Sequence, residues 1–114
     1  MSAQIEKLNA NEARPGSHGE ALHIEGEKMA LRTWREGPTE KSDEHAQDYE
    51  TLGYVIAGEA TLFSGDDVVH LTPGDSWRVP AKVMHRYVIP ESFEAVEVTS
   101  PPARGTPFGA HDAH

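Results

Sequence analysis

The sequence predicts an all-β domain, a sandwich or barrel of short antiparallel strands. Three observations carry that expectation. Short runs rich in β-branched, aliphatic and aromatic residues recur along the chain, as in Leu52 to Ala57 and Phe93 to Thr99. Glycine, proline and aspartate turn signals separate them, roughly one every eight residues. No long stretch carries an apolar stripe at helical spacing.

The elements follow in order. Residues 1–28 read as an N-terminal arm with edge strands. Ile5 and Leu8 are the large aliphatic residues of its polar first part, and Asn9 to Ala13 predicts one helical turn, stopped by Pro15-Gly16. Ala21 to Glu25 predicts a short strand, and Gly26-Glu27 a turn. Lys28 to Arg35 then alternates, with Met29, Leu31 and Thr33 on one face and Ala30, Arg32 and Trp34 on the other. Gly37-Pro38 ends it. Residues 39–50 are charged and lack an apolar stripe, so a loop is expected there. Leu52 to Ala57, Ala60 to Phe63 and Val68 to Leu71 predict strands. Gly58-Glu59 and the Gly/Asp hairpin turn Ser64 to Asp67 separate them. Thr72-Pro73-Gly74-Asp75 predicts a turn in which proline presets φ and glycine supplies a positive φ. Ser76 to Val79, Val83 to Ile89 and Phe93 to Thr99 complete the strands. Residues 29–99 thus form the barrel, and residues 100–114, rich in Pro, Gly, Ala and His, a C-terminal tail.

Composition narrows the function. The 114 residues suit one domain with one core. There is no cysteine, which removes disulfides, thiolate metal sites and cysteine nucleophiles together. Nineteen acidic against ten basic residues give a net charge of −9. That balance disfavours a nucleic-acid partner and a polybasic membrane anchor. No apolar run reaches transmembrane length, and Met1 to Lys7 lacks the apolar region of a signal peptide, so a cytoplasmic protein without membrane contact is expected. No phosphate-binding glycine loop, nucleotide fingerprint or nucleophile elbow is present.

Two stretches hold the chemistry. In the second, Gly74 precedes Pro80 with five residues between them, and His85 follows four residues after that proline's neighbour Ala81. In the first, Tyr54-Val55-Ile56-Ala57-Gly58-Glu59 closes a strand that His45-Ala46-Gln47-Asp48-Tyr49-Glu50-Thr51 leads into. These stretches resemble the two motifs of the cupins. The second motif is similar throughout its spacing, with Lys82 where glycine is usual and Ile89 where asparagine is usual. The first is similar in its later half.

The resemblance implies an antiparallel jelly-roll β-barrel, a small-molecule ligand and a homodimer paired through sheet edges. Ile5, Leu8 and the strand at Ala21 are the candidates for that edge. It also implies a divalent metal, Fe, Mn, Ni or Zn, inside the barrel. Counting back from Gly58 places His45, Gln47 and Thr51 at the ligand positions of the first motif, with His85 from the second, and turns Glu50 outward. A one-residue bulge would change the register and make the site Asp43, His45, Glu50 and His85. The unbulged register is the simpler, while the bulged one holds the stronger donor set.

If His85 points inward, Val83, Tyr87 and Ile89 share its face. Arg32, Trp34 and Tyr87 are the candidate pocket-lining residues. An inward Arg32/Trp34 face would suit a small carboxylate or phosphate. Otherwise Trp34 belongs to the core and Arg32 pairs with an acidic neighbour. His23 and His70 read as surface or half-buried residues. Two functions stay open: a metal-dependent oxygenase or isomerase using His45 and His85, and a metal-free module that binds or senses a small ligand.

Overall fold

The computed structural model describes residues 5–16, 19–40 and 44–102. Among these residues, ten strands form two antiparallel sheets: β1 (Arg14–Pro15), β2 (Glu20–Glu25), β3 (Ala30–Glu36), β4 (Thr39–Glu40), β5 (Glu50–Gly58), β6 (Ala60–Ser64), β7 (Asp67–Leu71), β8 (Ser76–Val79), β9 (Arg86–Ile89) and β10 (Phe93–Ser100). The larger sheet has the order β1-β2-β3-β10-β5-β8, the smaller β4-β9-β6-β7. They face each other in a jelly-roll sandwich and do not close into one continuous hydrogen-bonded barrel. The expected helical turn is a 3-10 turn at Ala10–Glu12, closed by a capping box between Asn9 and Glu12.

Period-two alternation sorts the side chains. On β3, Ala30, Arg32 and Trp34 are buried, while on β10 Phe93, Ala95, Glu97 and Thr99 are. β5 buries Thr51, Gly53 and Val55. The core joins these to Leu62, Leu71, Tyr87 and Ile89 of the smaller sheet. At its centre Trp34 meets Tyr87 and Phe93 edge-on, with ring centroids 4.9 and 5.0 Å apart.

Two expectations are revised. Residues 39–50 are not all loop: β4 pairs with β9 through Thr39↔Ile89 and Glu40↔Val88, and His45 forms a bridge with His85. The expected strand at Val83 begins only at Arg86. Pro80 to Val83 is a turn in which Lys82 has a φ of 67°, which breaks the extended backbone.

Gly53 is required by packing. The Trp77 indole lies across its backbone, where a Cβ would overlap the six-membered ring. Gly74, with a φ of 94°, occupies the third position of the Thr72–Asp75 turn, as a type II turn demands.

Gly53→Ala is therefore expected to displace the Trp77 ring and cost about 1–3 kcal/mol, read from urea denaturation midpoints. Lys82→Gly should act in the opposite sense. It relieves a left-handed lysine, and a gain of about 0.5–1 kcal/mol is expected in the same assay.

Candidate functional site

The first polar stretch reaches the second through backbone hydrogen bonds. His45 N–H donates to His85 O (3.0 Å), His85 N–H donates to His45 O (2.9 Å), and Lys82 N–H donates to Gln47 O (2.7 Å). This short ladder sets the two imidazoles side by side, with ring centroids 5.0 Å apart and planes tilted by 45°. Lys82 thus keeps the left-handed backbone of a glycine position in a turn that holds Gln47.

His85 is buried and His45 and Gln47 are half-buried, so the pair sits where the interior meets solvent. The Nδ1 of His85 lies 2.9 Å from the carbonyl of Val83. A carbonyl only accepts, so Nδ1 carries the hydrogen and the lone pair resides on Nε2. That is the arrangement by which second partners orient a ligating histidine.

Thr51 is buried on the inner face of β5, opposite Thr99 and Val79. Glu50 lies on the outer face, where it forms an ion pair with Arg78. The pairing of β5 with β8 runs in unbroken register from Thr51 to Tyr54. Asp43, the remaining member of the bulged set, lies outside the described residues. Among the described residues no group of three or more His, Asp or Glu is placed to hold a metal ion.

Beneath the histidines lies a buried polar network. Arg32 Nε donates to Glu97 Oε1 at 2.8 Å, and both residues are about as buried as the core, at 3% and 1% exposed. Arg32 Nη1 reaches the Tyr49 hydroxyl at 3.5 Å, and its guanidinium lies over the Tyr49 ring. Trp77 Nε1 donates to the Tyr87 hydroxyl at 3.1 Å. His85 stands perpendicular to the Tyr87 ring, 5.6 Å away. Arg32, Trp34 and Tyr87 thus all face inward. Trp34 is packed in the core, where its indole donates to Glu36 at 2.8 Å. Arg32 directs its charge at Glu97, which leaves little net field for an anion.

Glu97 and Trp77 escape a motif-based reading. Strand parity could have found them: Phe93, Ala95 and Glu97 alternate on one face, and Trp77 shares a face with Val79. His23 and His70 are half-buried and exposed, each beside a threonine hydroxyl at 3.1 Å.

Residues 30–100 match the Cupin domain family. No curated protein matches the chain. Among solved structures, an RmlC-like cupin from Shewanella frigidimarina is 22% identical, with a TM-score of 0.73, covering 90% of this chain and 95% of that one. KdgF from Halomonas sp. is 18% identical, with a TM-score of 0.70 and coverage of 84% and 94%. The polyketide cyclase RemF from Streptomyces resistomycificus is 15% identical, with a TM-score of 0.69 and coverage of 93% and 86%. At these identities the likeness is one of fold.

Burial foremost, and then the charge of Glu97, hold the Tyr87 hydroxyl protonated well above the ordinary phenol range. In the unfolded chain Tyr87 ionises near its reference value of 10.0. The folded state therefore retains a proton that the unfolded state loses, and stability falls as pH rises past that value. Tyr87→Phe should flatten this alkaline loss in thermal melts between about pH 8 and 11. At neutral pH it should cost about 1–3 kcal/mol, because the Trp77 N–H loses its acceptor.

Proposed function

The chain belongs to the cupin family, and from that premise we propose that it binds a small molecule at the mouth between its sheets, with a divalent metal held by His45 and His85. The observation that carries this reading is the histidine pair itself. A backbone bridge holds the rings 5.0 Å apart, and the Val83 carbonyl accepts from Nδ1 of His85, which places the lone pair of the neutral ring on Nε2.

The residues present fit a metal, though a weakly held one. Imidazole nitrogens suit Zn, Ni and Fe, and Mn to a lesser degree. Gln47 and Thr51 add only neutral oxygens, which are poorer donors. The four donors cancel none of the charge of a divalent ion. When bound, such an ion supplies a Lewis acid and an uncancelled positive charge, which favours small molecules bearing a carboxylate or other oxygen donor. The protein's own part is to orient the imidazoles, to bury His85, and to supply a rigid floor of Tyr87, Tyr49 and the Arg32–Glu97 pair. That one structurally similar protein is a polyketide cyclase supports the capacity of this architecture for chemistry. It assigns no reaction to this chain.

A metal-free ligand-binding module is the second reading. The donor set favours it: no carboxylate among the described residues joins the histidines, and Glu50 is paired with Arg78 on the outer face.

Elemental analysis of untagged protein, after incubation with Fe, Mn, Ni or Zn, separates the two. About one metal ion per chain is expected, lost in His85→Ala and retained in Glu50→Gln. Less than about a tenth of an equivalent with every metal would overturn the metal reading and leave the metal-free module.

A further inference from the structure

Lys82 stands where the backbone favours glycine. It occupies the third position of the Pro80–Val83 turn, in which Val83 N–H donates to Pro80 O at 3.4 Å, and its φ is 67°. A positive φ there suits glycine, because a Cβ crowds the following carbonyl oxygen. The Thr72–Asp75 turn obeys that rule, with Gly74 at the same position and a φ of 94°. Among the described residues, Lys82 is the one non-glycine residue with a positive φ. Residues held in such conformations cluster at functional sites, where the side chain is needed despite the strain. Solubility does not account for this one. The chain already carries a net charge of −9, and an unstrained surface position would display a lysine equally well.

The turn is joined to the histidine pair. Lys82 N–H donates to Gln47 O at 2.7 Å, and the next residue, Val83, supplies the carbonyl that lies 2.9 Å from His85 Nδ1. The His45–His85 bridge lies beside it. Lys82 is exposed, so its flexible four-carbon stem can carry the ammonium over the solvent side of the pair.

The charge of Lys82 is also uncommitted. Arg14, Arg32, Arg35 and Arg78 each pair with a glutamate, and Arg86 lies over the Phe63 ring. Lys82 forms no ion pair among the described residues. The buried cation below the histidines, Arg32, is matched by Glu97 at 2.8 Å. An anion at the mouth therefore meets its counter-charge at the rim and not on the floor.

We propose that Lys82 determines specificity: its ammonium binds the carboxylate or phosphate group of a small anionic ligand that lies against His45 and His85. This deepens the small-molecule reading and rests on it, whether or not a metal is bound. The strained turn is then retained for the charge it displays.

Titration calorimetry of the full chain tests it, metal-free and after zinc loading, with malonate as the probe and uncharged malonamide as its neutral match. Malonate is expected to bind the wild type about 10-fold more tightly than malonamide. Lys82→Gln keeps a side chain on the same backbone and should weaken malonate about 10-fold, with malonamide unchanged. Lys82→Arg should retain binding, and Lys82→Gly should lose it while melting at a higher temperature. Lys28→Gln, at another exposed lysine, should bind malonate as the wild type does. Equal malonate binding by Lys82→Gln and the wild type would overturn the proposal. So would equal binding of malonate and malonamide, no malonate binding in either form, or a loss confined to Lys28→Gln. The zinc content of Lys82→Gln should match that of the wild type. A chain that takes up no zinc yet binds malonate through Lys82 would sink the metal reading and leave this one standing.

Discussion

The Trp77 side chain ties the two sheets together, and the remaining interior is arranged around it. Its ring crosses the bare backbone of Gly53 on the neighbouring strand, and its N–H reaches the Tyr87 hydroxyl on the opposite sheet. A side chain at position 53 would push the indole inward and lengthen that bond. With Trp77 in place, Tyr87 is held against Trp34, and the same strand delivers His85 to the mouth. The position of the site therefore follows from a packing constraint two strands away.

The polar groups below the histidines have a different physical character. Burying Arg32 and Glu97 forfeits hydration that their attraction only partly returns. Their geometry limits the loss: the contact is short, and Tyr49 lies against the guanidinium. Such a pair is poor at adding stability but costly to separate, so it holds β3 and β10 in one register. It also engages Arg32, the one buried arginine among the described residues, whose charge would otherwise face an anion.

The histidines themselves are placed by main chain. Two reciprocal hydrogen bonds between His45 and His85, and one from Lys82 to Gln47, join distant segments through main-chain atoms.

Much of the architecture was legible in the residues because local chemistry dictates it. Period-two patterning located the strands, Pro73-Gly74 the turn, Asn9 and Glu12 the capped helical turn, and the spacing from Gly74 to His85 the family. The inward parity of Thr51 and the outward parity of Glu50 follow from the regular alternation of β5 between Glu50 and Val55, and the register shift against β10 falls later on the strand, at Ile56. Other features belong to tertiary structure alone. That Arg32 meets Glu97, 65 residues away, depends on which strands become neighbours, and no local pattern encodes that. The same holds for the His45–His85 bridge inside a segment whose composition reads as loop, and for Trp77 over Gly53. Sequence determined which face each side chain takes, since that is set by backbone period. Only the fold decided what each one meets there, since long-range pairing places partners that the chain itself keeps far apart.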